Sequence, residues 1–529
     1  MRQPFRDAKK DSVNLEQLPE AQGPSLKRRI ARNSMWYATE AGIGILATLS
    51  TTILIARLIG PERLGYFNYV YWLSITAGGL ASIGIPATTG KYMAEYLSGE
   101  ERGVARAVFF FTLRVQTVVA LVVLTIGLTL VMIFVDPSYR HASVLLVAAM
   151  MAQMVAFIPS MANVGAEKFA ANTRGAFAGT IAYVLIVSLS LFLGWDLLGI
   201  AFAVFLSRVV ELAAKLIPVL SWIRELPPSN LPVTVKKRMI SFSGQNMILL
   251  ILNVIIWERS DIVFLRMLQP DIAQISFFSV AYSIVEKLLL VPQIFAAAVG
   301  ASQFVEYGRD RQKLLSMTAT AARYTYLCGL PMLAGAAAIG GPLIDTLYGP
   351  RYVPMARVFQ LIAIFAIPRL VILPAQNLLL ATENQKPLVI CNFVCGAADI
   401  VLDLTLIPLF GALGAATANG VAQTLAAVGV WMIVGRYFSI YLDFTFVKRL
   451  TAVCCLMAAI VLSVILRLHS WPAITFGIGA GAVSFGLGIH LASVLKDEDR
   501  ERLLTLERKL PTKMRSVYRA LVFYLAPAA

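Results

Sequence analysis

Residues 108–135 read VFFFTLRVQTVVALVVLTIGLTLVMIFV, with Arg114 as the single charge. As an α-helix, roughly 20 apolar residues cross the ~30 Å hydrocarbon core of a bilayer. Runs of this kind recur from residue 34 to residue 492. The whole chain has 529 residues, of which 58% are hydrophobic and 14% charged. Soluble domains carry about 25% charged residues, so a soluble protein this size lacks its surface here. The expected fold is all-α and integral to the membrane, with about fourteen spans. They are placed at 34–57, 66–90, 108–135, 142–164, 174–194, 197–221, 240–264, 273–303, 318–347, 354–381, 387–409, 411–435, 447–467 and 471–492.

The 46 Lys and Arg outnumber the 30 Asp and Glu, giving a net charge of +16. No soluble segment interleaves basic with aromatic residues, so nucleic acid is not an expected partner; membrane lipids are. With the N-terminus in the cytoplasm, roughly 33 Lys and Arg fall on the cytoplasmic side and about 8 outside, the bias expected of an inner-membrane, multi-pass protein with both termini inside. The first residues are polar and have no signal-peptide core. Cys328, Cys391, Cys395, Cys454 and Cys455 all fall within spans and read as small apolar residues.

The chain divides into an N-terminal tail at 1–33, an N-lobe of six spans at 34–221 and a cytoplasmic linker at 222–239. A C-lobe of six spans follows at 240–435, then two further spans at 447–492 and a C-terminal tail at 493–529. The lobes resemble each other. Tyr66, Phe67, Tyr71, Glu95 and Tyr96 recur 211 residues later as Phe277, Phe278, Tyr282, Glu306 and Tyr307. Pro159 recurs at an offset of 215 as Pro374, as do Leu198, Gly199, Ala201 and Ala203 as Leu413, Gly414, Ala416 and Ala418. An offset of six spans keeps orientation, so these are parallel repeats about an axis along the membrane normal, with a central cavity.

Four stretches carry a family likeness: Ala56-Arg57-Leu58-Ile59-Gly60-Pro61-Glu62 with Leu64-Gly65-Tyr66-Phe67; Ser260-Asp261-Ile262-Val263-Phe264-Leu265; Leu347-Tyr348-Gly349-Pro350-Arg351-Tyr352; and Ile407-Pro408 with Gly411 and Gly414-Ala415-Ala416-Thr417. Over residues 25 to about 440 the chain resembles the polysaccharide flippases of the multidrug/oligosaccharidyl-lipid/polysaccharide exporter superfamily. The resemblance implies a two-lobe fold and alternating access. It implies translocation of a polyprenyl-pyrophosphate-linked oligosaccharide for assembly of O-antigen, capsule or exopolysaccharide. A polysaccharide polymerase and a chain-length regulator are the implied partners. Lipid II flippases and multidrug exporters are relatives with the same two lobes; the former also have fourteen spans.

Ionisable residues at membrane depth cost several kcal/mol unless they face a cavity or a partner. A pyrophosphate needs cationic donors, and Arg binds phosphate oxygens in a planar fork. The resemblance places spans 1, 2, 7 and 8 around the cavity. Arg57, Arg63, Arg259 and Lys287, with Glu40 and Glu286, are then the candidate substrate residues. Arg57, Arg63 and Arg259 read equally well as anchors at helix ends. Glu286-Lys287 before Pro292 resembles an acid–base pair of lipid II flippases. Arg208, Glu211 and Lys215 share a helix face and read as a structural salt bridge.

Asp399 and Asp403 lie one turn apart, followed by Thr417 and Asn419 on the next span. Paired carboxylates with amide and hydroxyl oxygens suit a Na⁺ or H⁺ site, and a polar helix–helix contact is the plainer reading. Some lipid II flippases have a sodium site on these helices with an acid from span 7, which Asp261 matches. No cofactor is expected and no nucleotide motif survives inspection. The energy source is then an ion gradient (Na⁺ or H⁺), a partner, or the concentration difference. A cation-coupled exporter and a lipid II flippase are the alternatives. A membrane enzyme is disfavoured because every outer loop is short.

Overall fold

The computed structural model describes residues 26–257, 260–306, 310–382, 384–440, 443–495, 499–501, 504 and 512–525. Among these there is no strand. The helices are α1 (Leu26–Ala81), α2 (Ile85–Ser98), α3 (Arg102–Phe134), α4 (Pro137–Gly165), α5 (Phe169–Phe192), α6 (Asp196–Arg224), α7 (Val233–Trp257), α8 (Asp261–Leu268) and α9 (Ala273–Glu306). The second half holds α10 (Arg311–Tyr348), α11 (Val353–Phe365), α12 (Ile372–Ala381), α13 (Gln385–Phe410), α14 (Ala412–Phe438), α15 (Phe444–Ile465), α16 (Ser470–Leu491) and α17 (Thr512–Leu525). Asp136, Asp310 and Asp443 cap α4, α10 and α15 by accepting from backbone N–H groups of the first turn.

Twelve described helices are long and apolar enough to cross a membrane. The segment Gly44–Ala81 counts once among them but holds two expected spans. Within α1, Gly60 takes φ 80° and ψ 172°, a region open only to glycine, and Pro61 starts the next turn. Thr48 and Trp72 line one cavity, yet a straight helix would set them about 36 Å apart. The chain therefore folds back at Gly60 into two arms. Span 7 is recorded as α7 and α8. It lies outside the twelve.

Several boundaries depart from the expected ones. The helix begins at Leu26, inside the expected tail, where Lys27, Arg28 and Arg29 are good helix formers. The second span ends at Ala81, because Ile83 and Gly84 both take positive φ before α2 starts. The linker without helix shrinks to 225–232, since α7 starts right after Pro232. Span 10 is two helices, α11 and α12, joined by a 3₁₀ turn at Ile367–Val371 containing Pro368. The expected C-terminal tail is anchored rather than free. Asp499 is buried and accepts from Arg323 at 2.6 Å and from Tyr324 at 2.7 Å. In α17, the Tyr524 ring stacks on His490 of α16.

Packing follows the repeat. Helix α6 packs on α4 and α5, while α14 packs on α13 and α11. The lobes meet chiefly where α1 contacts α9. Tyr71 accepts a hydrogen bond from Arg208 of α6 in the first lobe. Tyr282, its counterpart 211 residues on, accepts one from Gln423 of α14. Gln423 stands 215 residues after Arg208, so the two lobes repeat a contact as well as a pattern. Helices α15 and α16 pack on each other and on α10, as an addition to the two repeats.

Candidate functional site

Asp399 and Asp403 sit one turn apart on α13, and Asp261 opens α8 against them. One carboxylate oxygen from each lies within 4.8 Å of the others. Asp261 and Asp403 are fully buried and Asp399 is 2% exposed. Both oxygens of Asp403, and one each of Asp261 and Asp399, have no hydrogen-bond partner. Buried polar atoms are almost always satisfied, so this cluster is built for something it must share. Three negative charges so close, away from water, need a cation or protons among them.

The cluster has one amide neighbour on α14. Asn419 Nδ2 donates to Asp261 Oδ2 at 3.2 Å, and Gln423 Nε2 donates to Asn419 Oδ1 at 2.7 Å. Thr417 points its hydroxyl at the Leu413 carbonyl of its own helix instead. Helical spacing pairs Asp399 with Asp403 and the family resemblance points to Asp261; the fold brings these three together with Asn419 and leaves Thr417 turned to its own helix. Gln423 was legible only as one amide on a helix of small residues.

A cavity of about 660 Å³ lies between the two arms of α1, helices α5 and α6, and α9. Its wall carries Thr48, Asn68, Tyr71, Trp72, Tyr183, Ser207, Ser279, Ser283 and Glu286. Arg208 and Glu211 also face it. Glu211 bridges two cations, with Arg208 Nη1 at 2.8 Å and Lys215 Nζ at 2.6 Å. The ion pairs match the spacing i, i+3 and i+7. Their place on the cavity wall was not legible, because it depends on Tyr71 reaching Arg208 from another helix. Gly175 and Gly179 of α5 lie against Lys215 and Glu211, where a side chain would collide.

Glu286 also lines a second cleft of about 410 Å³ with Lys287, Gln293 and Arg369, which shares Gly44 and Thr48 with the cavity wall. Adjacent residues on a helix point about 100° apart, and only Glu286 reaches both spaces. Arg57 and Arg63 lie elsewhere, at the Gly60 end. Arg57 Nε donates to the Leu347 carbonyl at 2.7 Å, and its Nη2 to the Thr346 carbonyl. It lines a cleft with Asp345, Arg351 and Trp471. Arg63 pairs with Asp196 at the start of α6. Arg259 lies outside the described residues, as does the side chain of Glu40 on α1.

Comparison of structures places the fold. The lipid II flippase MurJ in its inward closed conformation aligns with a TM-score of 0.67 and 13% identity, over 87% of this chain and 98% of that one. An inward-facing multidrug resistance MATE family transporter of the MOP superfamily aligns at 0.64 and 13% identity, over 74% and 94%. A MOP superfamily transporter from Pyrococcus furiosus aligns at 0.56 and 14% identity, over 78% and 96%. The chain therefore has the fold of MOP superfamily transporters. No curated protein matches the sequence. The family model described as polysaccharide biosynthesis protein matches residues 30–304, a little more than half of the chain, and the chain belongs to that family.

Proposed function

We propose that this protein is a flippase that moves a polyprenyl-pyrophosphate-linked oligosaccharide across the cytoplasmic membrane by alternating access, for surface-polysaccharide assembly. The cavity between the repeats carries the reading. Hydroxyls, an amide, phenols and a carboxylate line it, together with an arginine held in place by Glu211 and Tyr71. This is a surface for sugar hydroxyls. Its volume lies within the roughly 300–1,000 Å³ of ordinary ligand sites. Taking a sugar-pyrophosphate through hydrocarbon without such a path would cost tens of kcal/mol. Lys287 and Arg369 in the adjoining cleft supply positive charge for the pyrophosphate. Both termini lie in the cytoplasm, and a polymerase with its chain-length regulator receives the product. The family of polysaccharide biosynthesis proteins and the fold shared with a lipid II flippase support the same reading.

Transport draws on a cation gradient through Asp261, Asp399, Asp403 and Asn419. The unpartnered buried oxygens of the three aspartates fit Na⁺ or H⁺ as the coupling ion, and no other cofactor is needed. The test is vesicles containing the purified protein and a fluorescent polyprenyl-pyrophosphate oligosaccharide, with a membrane-impermeant quencher outside. Protein-dependent exposure of the label supports the proposal. Exposure no faster than in empty vesicles overturns it.

The carboxylate cluster also favours a second reading, a cation-coupled exporter of the multidrug type. A deletion strain with drug sensitivity and normal surface polysaccharide would establish that reading over the first. Lipid II in the same vesicles tests the third member of the superfamily.

A further inference from the structure

A cleft of about 660 Å³ lies at the Gly60 end and shares no residue with the central cavity. Three elements wall it: the end of the first arm of α1, the corner from Asp345 of α10 to the 3₁₀ turn Pro350–Tyr352, and the start of α16 at Trp471. Its polar groups are left without partners. Tyr348 is 3% exposed, yet its hydroxyl makes no hydrogen bond with any described residue. Thr346 Oγ1 is buried and equally unpartnered. The Asp345 carboxylate, the Arg351 guanidinium and the Trp471 indole nitrogen also make no hydrogen bond or ion pair with any described residue. Trp471 is 59% exposed. Arg57, by contrast, is already bonded to the last carbonyls of α10.

We propose that this cleft is a second glycan subsite, holding a short stretch of the oligosaccharide after it has crossed. It rests on the flippase reading, under which the Gly60 end faces away from the cytoplasm. Buried polar groups almost always have partners, so Tyr348 and Thr346 point to a ligand that brings hydroxyls of its own. A pyranose has a flat C–H face and a rim of hydroxyls. The Trp471 ring offers that face a flat apolar surface. Asp345 accepts from neighbouring hydroxyls, and Arg351 donates to hydroxyl or ring oxygens. A tryptophan that only anchored α16 in the interface would need neither charge beside it. An anionic lipid headgroup would suit Arg351 but be repelled by Asp345. The volume is that of an ordinary ligand site. The walls come from both lobes, so a bound glycan favours the conformation in which the Gly60 and Gly349 corners meet. The subsite also gives α16, which lies outside the two repeats, a part in recognition.

Photo-crosslinking of the full chain in lipid nanodiscs tests the subsite. The probe is the free oligosaccharide of the flipping substrate, without lipid or pyrophosphate and carrying a diazirine. Digestion and mass spectrometry map where it attaches. Crosslinks should fall in 345–352 and 470–475 as well as in peptides of the central cavity. Trp471→Ala and Asp345→Asn should each cut the first set by about fivefold or more and leave the cavity set unchanged. Crosslinks confined to the cavity overturn the subsite, as does a first set that survives both substitutions. No crosslink anywhere also overturns it, while label exposure in the vesicle assay separately decides the flippase reading. Asp345→Asn changes almost no volume, so it keeps the test open if Trp471→Ala fails to fold.

Discussion

Asn68 Nδ2 donates to Ser279 Oγ across 2.8 Å, and these two residues stand 211 positions apart. That separation is the repeat offset that relates Tyr66, Phe67 and Tyr71 to their counterparts. Equivalent residues of two repeats can touch only at the axis relating them, so this hydrogen bond marks the pseudo-two-fold. From it the cavity extends away from the Gly60 end, along Tyr71 and Ile75 on one side and Ser283 and Glu286 on the other. The axis and the roof of the cavity coincide.

A bond at that point joins the lobes in this conformation. Asn68→Ala and Ser279→Ala should each cost about 1 kcal/mol, and the double substitution little more than either, because both remove the same bond. Thermal melting of the four proteins checks this. Additive losses would show that the two side chains do not interact.

Three buried carboxylates so close together are destabilising by themselves, and the proposed cation would offset that cost. Asp403→Asn removes one of three crowded charges, so it should leave thermal stability unchanged or raise it in choline. On the proposed cation site, Na⁺ should raise the melting temperature of the unmodified protein by an amount set by how far it exceeds its dissociation constant, and Asp403→Asn should abolish that rise. Melting curves of both proteins over a Na⁺ series measure the two effects separately.

Glu211 is the reverse case. It compensates Arg208 and Lys215 at once, and Lys215 is buried against Gly175. Glu211→Gln leaves two uncompensated cations and should destabilise by about 3–5 kcal/mol. Adding Lys215→Met should recover much of the loss, because one of the stranded charges is gone. Denaturation in mild detergent follows both variants.

Legibility in the sequence tracks the range of the interaction. Spans depend on local apolar content, which the sequence shows directly, whereas the breaks at Gly60, Ile83-Gly84 and Ile367–Val371 depend on backbone turns. The pairing of Arg208, Glu211 and Lys215 and the approach of Asp399 to Asp403 depend on helical spacing alone, and both were visible. What lay beyond reach depends on how helices rotate against each other. The family resemblance alone names Asp261, and its contact with the pair on α13 depends on how α8 lies on that helix. Arg57 and Arg63 are candidates because they are cationic and the resemblance places their spans around the cavity, yet the fold spends them on Thr346, Leu347 and Asp196. Gly60-Pro61 and Gly349-Pro350 enter the sequence reading only as parts of the family motifs. The fold makes both of them corners and brings the two together, with the Arg351 guanidinium beside Gly60.

Gly60 and Gly349 share one backbone conformation, with φ of 80° and 88° and ψ of 172° and 175°. An L side chain is strained there by about 1–3 kcal/mol. Gly60→Ala and Gly349→Ala should each lower stability within that range, whereas Gly79→Ala, inside a helix with open space at its Cβ, should be neutral or stabilising. Melting temperatures of the three variants decide it.

Arg57 separates two accounts of the Gly60 end. As a pyrophosphate ligand it would set substrate affinity, and Arg57→Ala would raise the apparent KM for flipping. The structure shows its guanidinium bonded to the last carbonyls of α10, across the interface between the lobes. Those carbonyls form the negative end of a helix and have no partner within it. Under the proposed alternating access, Arg57 would hold this end shut, and its bonds would have to break before the cavity opens there. Losing an exposed contact of this kind is worth about 1 kcal/mol, enough to raise the population open at this end by about fivefold. Arg57→Ala should leave KM within about twofold and change the maximal rate, while thiol reagents applied from that side should label a cysteine at Ser283 faster. Arg57→Lys should not restore the original behaviour, since an ammonium cannot span two carbonyls as the planar fork does. A large rise in KM with unchanged labelling would return Arg57 to the substrate.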